Sequence, residues 1–165
     1  MVTCLTKAQS FDYSPCTYGP EYDFYHAADC MEGNASEVLD AFRRNGNNSD
    51  IDSLNLQNMT DMTDGMLAEI MGVVAASASQ NVRQIILGDL KIMETLPEAL
   101  MEFTNLQHLF LFRNDALKIL PYGSLTLPSR SLTQLYCYYH PNLQVIEGGA
   151  FQGMAYNRID NESSR

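Results

Sequence analysis

The sequence predicts a mixed α/β fold in which short parallel strands stack side by side as a solenoid. The first observation is a recurring Leu-x-x-Leu-x-Leu pattern, clearest in NLQHLFLFRN and SLTQLYCYYH. The middle apolar residues of four copies are Leu54, Ile85, Leu109 and Leu135, which lie 31, 24 and 26 residues apart. The second observation is that the first fifty residues lack this pattern but hold three of the four cysteines, which predicts a separate capping segment.

Each copy of the pattern predicts one short strand. Side chains alternate across a strand, so the second and third apolar residues of the pattern point to the same face. One copy cannot bury that face alone, whereas a parallel neighbour in the same register extends it into a buried column. The predicted columns are Ile51, Val82, Leu106 and Leu132; Leu54, Ile85, Leu109 and Leu135; and Leu56, Leu87, Leu111 and Cys137. Within its column, Cys137 is interpreted as a small buried apolar residue.

The segments between the strands predict how the chain returns. Apolar residues recur at helical spacing from Met62 to Val74, which predicts an amphipathic helix followed by a small-residue link over 75–80. Leu96 and Leu120 each precede a proline, so the backbone should be extended there.

One side chain per unit is expected to turn the backbone after the strand. Asn114 occupies that position once, while Met59, Leu90 and His140 occupy it in the other copies. A complete ladder of asparagines is therefore not expected. His140, which precedes a proline, is interpreted as a turn residue hydrogen-bonded to backbone.

The capping segment is predicted to contain a strand and a helix. Tyr22–Cys30 is the candidate strand, and Asn34–Arg44 is the candidate helix, with Asn34 as its N-cap and Val38, Leu39 and Phe42 on its buried face. The chain is thus predicted to comprise a cap over 1–50, about four repeats over 51–154, and a polar, disordered tail over 155–165.

Repeats of this length and pattern are typical of leucine-rich-repeat proteins. Residues 30–154, and the stretch IEGGAFQGM in particular, resemble extracellular members of that family. The segment PCTYGPEYDFYHAADC, followed by a helix and irregular repeats, looks most like secreted arthropod members. The resemblance implies a short right-handed horseshoe with parallel strands on its concave face and a cysteine-containing N-terminal cap. It also implies a protein-binding or partner-stabilising role without enzymatic activity.

The resemblance further implies that a disulfide staples the cap. Cys16–Cys30 is the favoured pairing, with Cys4 left over, although sequence alone leaves the other pairings open. Such a bond indicates an oxidising compartment, and the opening residues lack the apolar run of a secretory signal. Glycosylation sequons begin at Asn34, Asn47, Asn58 and Asn161. We therefore expect an extracellular glycoprotein, with a cytoplasmic location as the alternative.

Composition restricts the class of partner. The 165-residue chain has a formal net charge of −10, which argues against nucleic acid and anionic membrane surfaces. No stretch reaches the roughly 18 apolar residues of a membrane span. A protein partner remains the expectation.

The outward residues of the repeats form the candidate binding site. Parallel pairing would bring five apolar side chains together on the concave face: Ile86, Phe110, Phe112, Tyr136 and Tyr138. The flanking polar residues are Arg83, His108, Arg113 and Asp89, and the last three form the one polar cluster that the register would assemble. Exposed apolar clusters mark interaction sites, although aromatic residues also pair across strands for stability alone, and another segment of the chain can cover them.

The favoured function is therefore non-enzymatic protein recognition through the concave aromatic residues. No nucleophile elbow, metal-ligand spacing or cofactor motif is present, so no catalytic residue, metal or cofactor is expected. One alternative is an accessory subunit that stabilises a catalytic partner through an open C-terminal repeat, using Leu143, Ile146 and Phe151. The other is a cytosolic adaptor.

Overall fold

A computed structural model of the chain describes residues 11–21, 23–125 and 131–150, together with the backbone of residues 158–160. The strands in these ranges are β1 (Thr17–Glu21), β2 (Phe24–Asp29), β3 (Ser53–Gln57), β4 (Gln84–Gly88), β5 (His108–Phe112), β6 (Ile119–Leu120), β7 (Gln134–Tyr138), β8 (Val145–Ile146) and β9 (Arg158–Asp160). The helices are α1 (Ala35–Arg44), α2 (Asp64–Ala78) and a 3-10 helix (Glu98–Glu102).

The large sheet is mostly parallel, and its strands follow one another in chain order. Its order is β1-β2-β3-β4-β5-β7-β9, and only the β1–β2 pair is antiparallel. The register pairs Leu54 with Ile85, Ile85 with Leu109 and Leu109 with Leu135, and these side chains are buried in the core. The predicted second column is thus confirmed, and the third column, which ends at Cys137, is also in register and buried.

The parallel part of the large sheet begins at β2, one strand before the first predicted repeat. In β2, Ala28 pairs with Leu54 and continues the second column into the cap. After β2, β3, β4, β5 and β7, one non-glycine residue adopts φ between 49° and 62°: Glu32, Asn58, Asp89, Arg113 and Tyr139. Such a backbone conformation is uncommon outside glycine, so its return at equivalent positions marks a repeated turn. The parallel register and this turn therefore extend one strand before Ile51.

A backbone hydrogen bond from four of these five turns extends the ladder beyond the strands. Asn58 N–H donates to Gly88 O at 2.9 Å, and Asp89 N–H donates to Phe112 O at 3.0 Å. Glu32 and Arg113 make the equivalent bonds to the following strands. The units are thus held together through backbone as well as through their apolar columns.

Both predicted α-helices are present. Asn34 caps α1, because its Oδ1 accepts the N–H groups of Ser36 and Glu37. Helix α2 runs to Ala78, so the prediction of a small-residue link over 75–80 is wrong; alanine favours helix, and Ala75 and Ala78 are buried in the core. Both helices contribute apolar side chains to the same core as the inward strand residues, which leaves the opposite face of the large sheet for other contacts.

After β4, β5 and β7, the chain runs back through short secondary-structure elements instead of α-helices. The 3-10 helix follows β4, and β6 pairs in parallel with β8 in a second, two-stranded sheet. The extended backbone predicted at Leu120, before Pro121, is confirmed because Leu120 lies in β6. Its register partner in β8 is Ile146, which is 49 % exposed although Leu120 is fully buried.

The two ends of the large sheet also differ from the prediction. The cap strand is narrower than Tyr22–Cys30 and is preceded by an antiparallel partner, β1. Residues 158–160, within the predicted disordered tail, form β9 alongside β7, so that prediction does not hold for them. A three-residue strand of largely polar sequence carries too little apolar pattern to be recognised.

Three of the four cysteines lie among the described residues, and their states agree with the sequence interpretation. Cys16 and Cys30 form a disulfide, which confirms the predicted pairing. Cys137 is a buried free thiol, and burial raises its pKa to about 11. Cys4 lies outside the described residues. No helix within the described ranges is long and apolar enough to cross a membrane.

Candidate functional site

The outward residues of the large sheet align in rows across the strands. One row consists of Asp29, Asn55, Ile86, Phe110 and Tyr136, and the register continues it to Asp160 of β9. A second row consists of Gln57, Gly88, Phe112 and Tyr138. The predicted rows of the repeats are therefore confirmed, and β2 adds a carboxylate to the first of them. We call this side of the sheet, opposite the core and the helices, the outer face.

Two aromatic pairs occupy the part of the outer face formed by β5 and β7. The ring centroids of Phe110 and Tyr136 lie 4.7 Å apart at an interplanar angle of 5°. Those of Phe112 and Tyr138 lie 5.4 Å apart at 11°. These distances are close to the separation of neighbouring strands, about 4.8 Å. In each pair, one face of each ring is therefore covered by its stacking partner.

Phe112 is not the exposed anchor that the sequence predicted. Its side chain is 8 % exposed because the ring covers Gly88 on the neighbouring strand, where no Cβ intervenes. The Arg113 guanidinium lies 5.6 Å from the ring centroid and adds a cation–π contact. The exposed aromatic residue at this end is Tyr139, 51 % exposed and edge-on to Tyr138 at 5.4 Å.

The polar residues that flank the aromatic pairs form two separate groups. Arg113 pairs with Asp89 at 2.8 Å at the carboxyl end of the strands. His108 begins β5 and lies instead beside Phe24, with ring centroids 6.2 Å apart. The predicted cluster of His108, Asp89 and Arg113 is therefore wrong, because His108 and Arg113 lie at opposite ends of one strand.

The contacts of Phe24 with Arg83 and His108 were not predicted from the sequence. Phe24 is buried at the start of β2, yet the Arg83 guanidinium lies 5.2 Å from its ring centroid. Arg83 also pairs with Asp52 at 3.4 Å. Burial, and next the charge of Arg83, lower the pKa of His108. The β1–β2 hairpin thus covers part of the outer face near β4 and β5, whereas Ile86, Phe110, Tyr136 and Tyr138 are half-buried.

A polar cleft of about 450 Å³ lies where the parallel strands begin. Its lining includes the amides of Asn81 and Asn105, which are committed to structure because they donate to Ser49 O at 2.6 Å and Gln80 O at 2.7 Å. Both oxygens of Asp52 likewise accept backbone N–H groups, those of Tyr25 and His26. These lining side chains therefore serve to hold neighbouring segments of the chain together.

The sequons differ in how their side chains are used. The Asn34 oxygen caps α1, Asn47 is exposed, and Asn58 is exposed with its Nδ2 donating to Glu32 Oε1 at 3.1 Å. Asn161 lies outside the described residues. Within those residues, no group of three or more His, Cys, Asp or Glu side chains is arranged to hold a metal ion.

Comparison with known proteins adds no relative. No protein-family model, no curated protein and no solved structure matches this chain.

Proposed function

We propose that this chain is a non-enzymatic protein of the leucine-rich-repeat type that binds a protein partner through the outer face. The binding residues are Ile86, Phe110, Tyr136 and Tyr138, with Tyr139 and Arg113 at their edge. The observation that carries the proposal is the stacked Phe110–Tyr136 pair, which is half-buried and lies beside Ile86 on the outer face. Apolar clusters that keep part of their surface accessible to solvent mark interaction sites.

The strand arrangement supports the solenoid part of the proposal. Parallel strands that neighbour one another in chain order, each followed by the same turn with positive φ, are what stacked repeats require. In a leucine-rich-repeat horseshoe the outer face would be the concave side. The Cys16–Cys30 disulfide supports an extracellular location, whereas a cytosolic adaptor would need both thiols free in the native protein.

The ring geometry favours a protein partner over sugars or nucleobases. Those ligands stack on aromatic faces, and the stacking at 4.7 Å already uses one face of Phe110 and one face of Tyr136. Ring edges and aliphatic carbon instead suit apolar side chains of a protein. Tyrosine is also a frequent anchor at protein interfaces, since it combines apolar area with one polar end.

Selection from a displayed library of random peptides on the full chain would test the proposal. We expect enriched peptides to bind the wild type and to lose about 30-fold in affinity with Phe110→Ala or Tyr136→Ala, which corresponds to about 2 kcal/mol for a hot-spot residue. Tyr25→Ala is the matched control, because Tyr25 is 75 % exposed but lies on β2. Peptides that bind the Phe110 and Tyr136 variants as well as they bind wild type would refute the outer-face site.

A second candidate function is that of an accessory subunit that contacts its partner through β8. Ile146 and Val145 are exposed, together with Ile119 of β6, although Ile146 stands in register with the buried Leu120. Leu143 is half-buried against the core, and Phe151 lies outside the described residues. This alternative predicts that Ile146→Ser abolishes partner binding while Phe110→Ala leaves it unchanged.

A further inference from the structure

Asn45 joins the carboxyl end of α1 to the segment that precedes β1. Its backbone N–H donates to Ala41 O at 3.1 Å, and its side-chain Nδ2 donates to the same carbonyl at 2.8 Å. Nδ2 also donates to Asp12 O at 2.6 Å. Carbonyls in the last turn of a helix lack partners within the helix, so Asn45 satisfies one of them and ties the N-terminal segment to it.

The segment that Asn45 holds is packed into the core. Tyr13 is buried, and its ring centroid lies 5.0 Å from that of Phe42 in α1. Arg44 Nη2 also donates to Ser14 O, but at 3.3 Å and from an exposed side chain. The bond of the half-buried Asn45 is shorter, so it is the stronger of these two links between the end of α1 and residues 11–16.

The residue that follows Asn45 makes its amide chemically labile. Asn45 is the one asparagine in the 165-residue sequence that precedes a glycine. Because glycine has no side chain to hinder its backbone nitrogen, the nitrogen of Gly46 can attack Asn45 Cγ readily. The Cγ–Nδ2 bond breaks, ammonia leaves, and a cyclic succinimide forms. Water then opens the ring to aspartate or isoaspartate, so the net reaction exchanges ammonia for water.

The native fold opposes the first of these steps. Nδ2 is the leaving group, and it donates to the carbonyls of Asp12 and Ala41. Ammonia cannot depart until both bonds break, which requires residues 11–16 to separate from the end of α1 in a local opening. The reaction should therefore be slow in the folded chain and fast in the unfolded chain.

We infer that Asn45 is a site of spontaneous deamidation that the native fold protects, and that its conversion weakens the attachment of residues 11–16 to α1. The product carboxylate has no hydrogen to donate. It places a negative charge against the carbonyl oxygens of Asp12 and Ala41, at the helix end where the dipole is also negative. A deamidated chain therefore cannot restore the native link.

Peptide mass spectrometry of the full chain, incubated without reductant in the presence and absence of urea, tests the site. We expect Asn45 to deamidate at least about tenfold more slowly in the native chain than in urea. In urea it should also react faster than Asn47, which precedes an asparagine. Gly46→Ala is the control and should slow the reaction in urea. Its added Cβ would meet Val73 Cγ1 at 3.4 Å and Arg43 O at 3.6 Å, which is ordinary contact, so the variant should fold.

Two variants test the effect of the product. Asn45→Asp represents the deamidated chain, whereas Asn45→Ala removes both side-chain bonds without adding a charge. The aspartate variant should melt about 2 °C or more below the alanine variant. Hydrogen exchange of the backbone amides within residues 11–16 should also be faster in the aspartate variant.

Equal deamidation rates with and without urea would overturn the protection by the fold. Equal rates for Asn45 and Asn47 in urea would overturn the site itself. Matching melting temperatures and exchange rates for the aspartate and alanine variants would overturn the effect assigned to the product. The inference does not depend on the outer-face site, which the peptide selection tests separately.

Discussion

His140 occupies the turn after β7 that Asn114 occupies after β5, and both side chains bind the equivalent backbone carbonyl of the preceding unit. Asn114 Nδ2 donates to Leu87 O at 3.0 Å, and His140 Nε2 lies 3.2 Å from Leu111 O, so it must carry the proton. The interpretation of His140 as a backbone-bonded turn residue is confirmed. Asn114 Oδ1 additionally accepts Leu90 N–H, whereas His140 Nδ1 is buried without a partner.

The histidine at this turn predicts a pH dependence of stability. Burial lowers the pKa of His140 below its usual 6.5, although the bonded backbone of Asn114 and Leu111 opposes the shift. The unfolded chain therefore takes up the proton first, and stability falls as the pH drops below about 6.5 and levels off below the folded pKa. We expect the thermal midpoint of wild type to fall across this window.

His140→Asn isolates that contribution, because asparagine is the residue that the equivalent turn already uses. The variant should lose less stability than wild type between pH 7 and the acid side of the window, as followed by thermal melting. The pKa of His108 is also lowered, so some dependence should persist. Identical pH profiles for wild type and variant would contradict the role given to His140.

Asn114→Ala should be strongly destabilising. The change leaves Leu87 O and Leu90 N–H buried without partners, at about 1–3 kcal/mol for each group. Asn142→Ala is the matched control, since the exposed Asn142 makes one bond, to Asp115 O at 2.8 Å, and should cost about 1 kcal/mol or less. Urea unfolding of the two variants measures the difference, and equal losses would refute the account of Asn114.

Gly88→Ala should destabilise the chain by about 1–3 kcal/mol, because the new Cβ would overlap the ring of Phe112. In a Phe112→Ala background the same substitution should cost much less, and the double-mutant cycle measures that coupling. Gly72→Ala in α2 is the control: its Cβ meets nothing within 4 Å, and alanine should raise stability by about 0.5–1 kcal/mol. Additive costs for Gly88→Ala and Phe112→Ala would show that Phe112 does not rest on Gly88.

Cys137 should resist alkylation in the native protein. Its thiol is buried and its pKa is raised to about 11, so little reactive thiolate is present at pH 8. Iodoacetamide followed by peptide mass spectrometry should label Cys137 only after denaturation, while Cys16 and Cys30 require reduction as well. Rapid native labelling of Cys137 would mean that β7 is less protected than the structure indicates.

The local sequence pattern predicted most of the elements and both outward rows of the repeats. Alternation places Leu109 inward and Phe110 outward whatever the neighbouring strands are. The N-cap of α1 was likewise visible, because Asn34 acts on residues within its own turn.

The missed features depend on residues that are distant in sequence. Phe112 is buried because a glycine stands beside it on β4, 24 residues earlier, and no single strand reveals that pairing. Phe24 reaches Arg83 and His108 only because the β1–β2 hairpin packs over the sheet. The β2 unit escaped notice because Ala28 is too small to continue the leucine pattern visibly.

The most direct test of the central claim is NMR chemical-shift mapping of the full chain with a peptide selected on it. We predict the largest shift changes at Phe110, Tyr136 and Tyr138, on the outward positions of β5 and β7. Shift changes confined to Val145 and Ile146 of β8, with β5 and β7 unaffected, would contradict the outer-face site and support the accessory-subunit alternative.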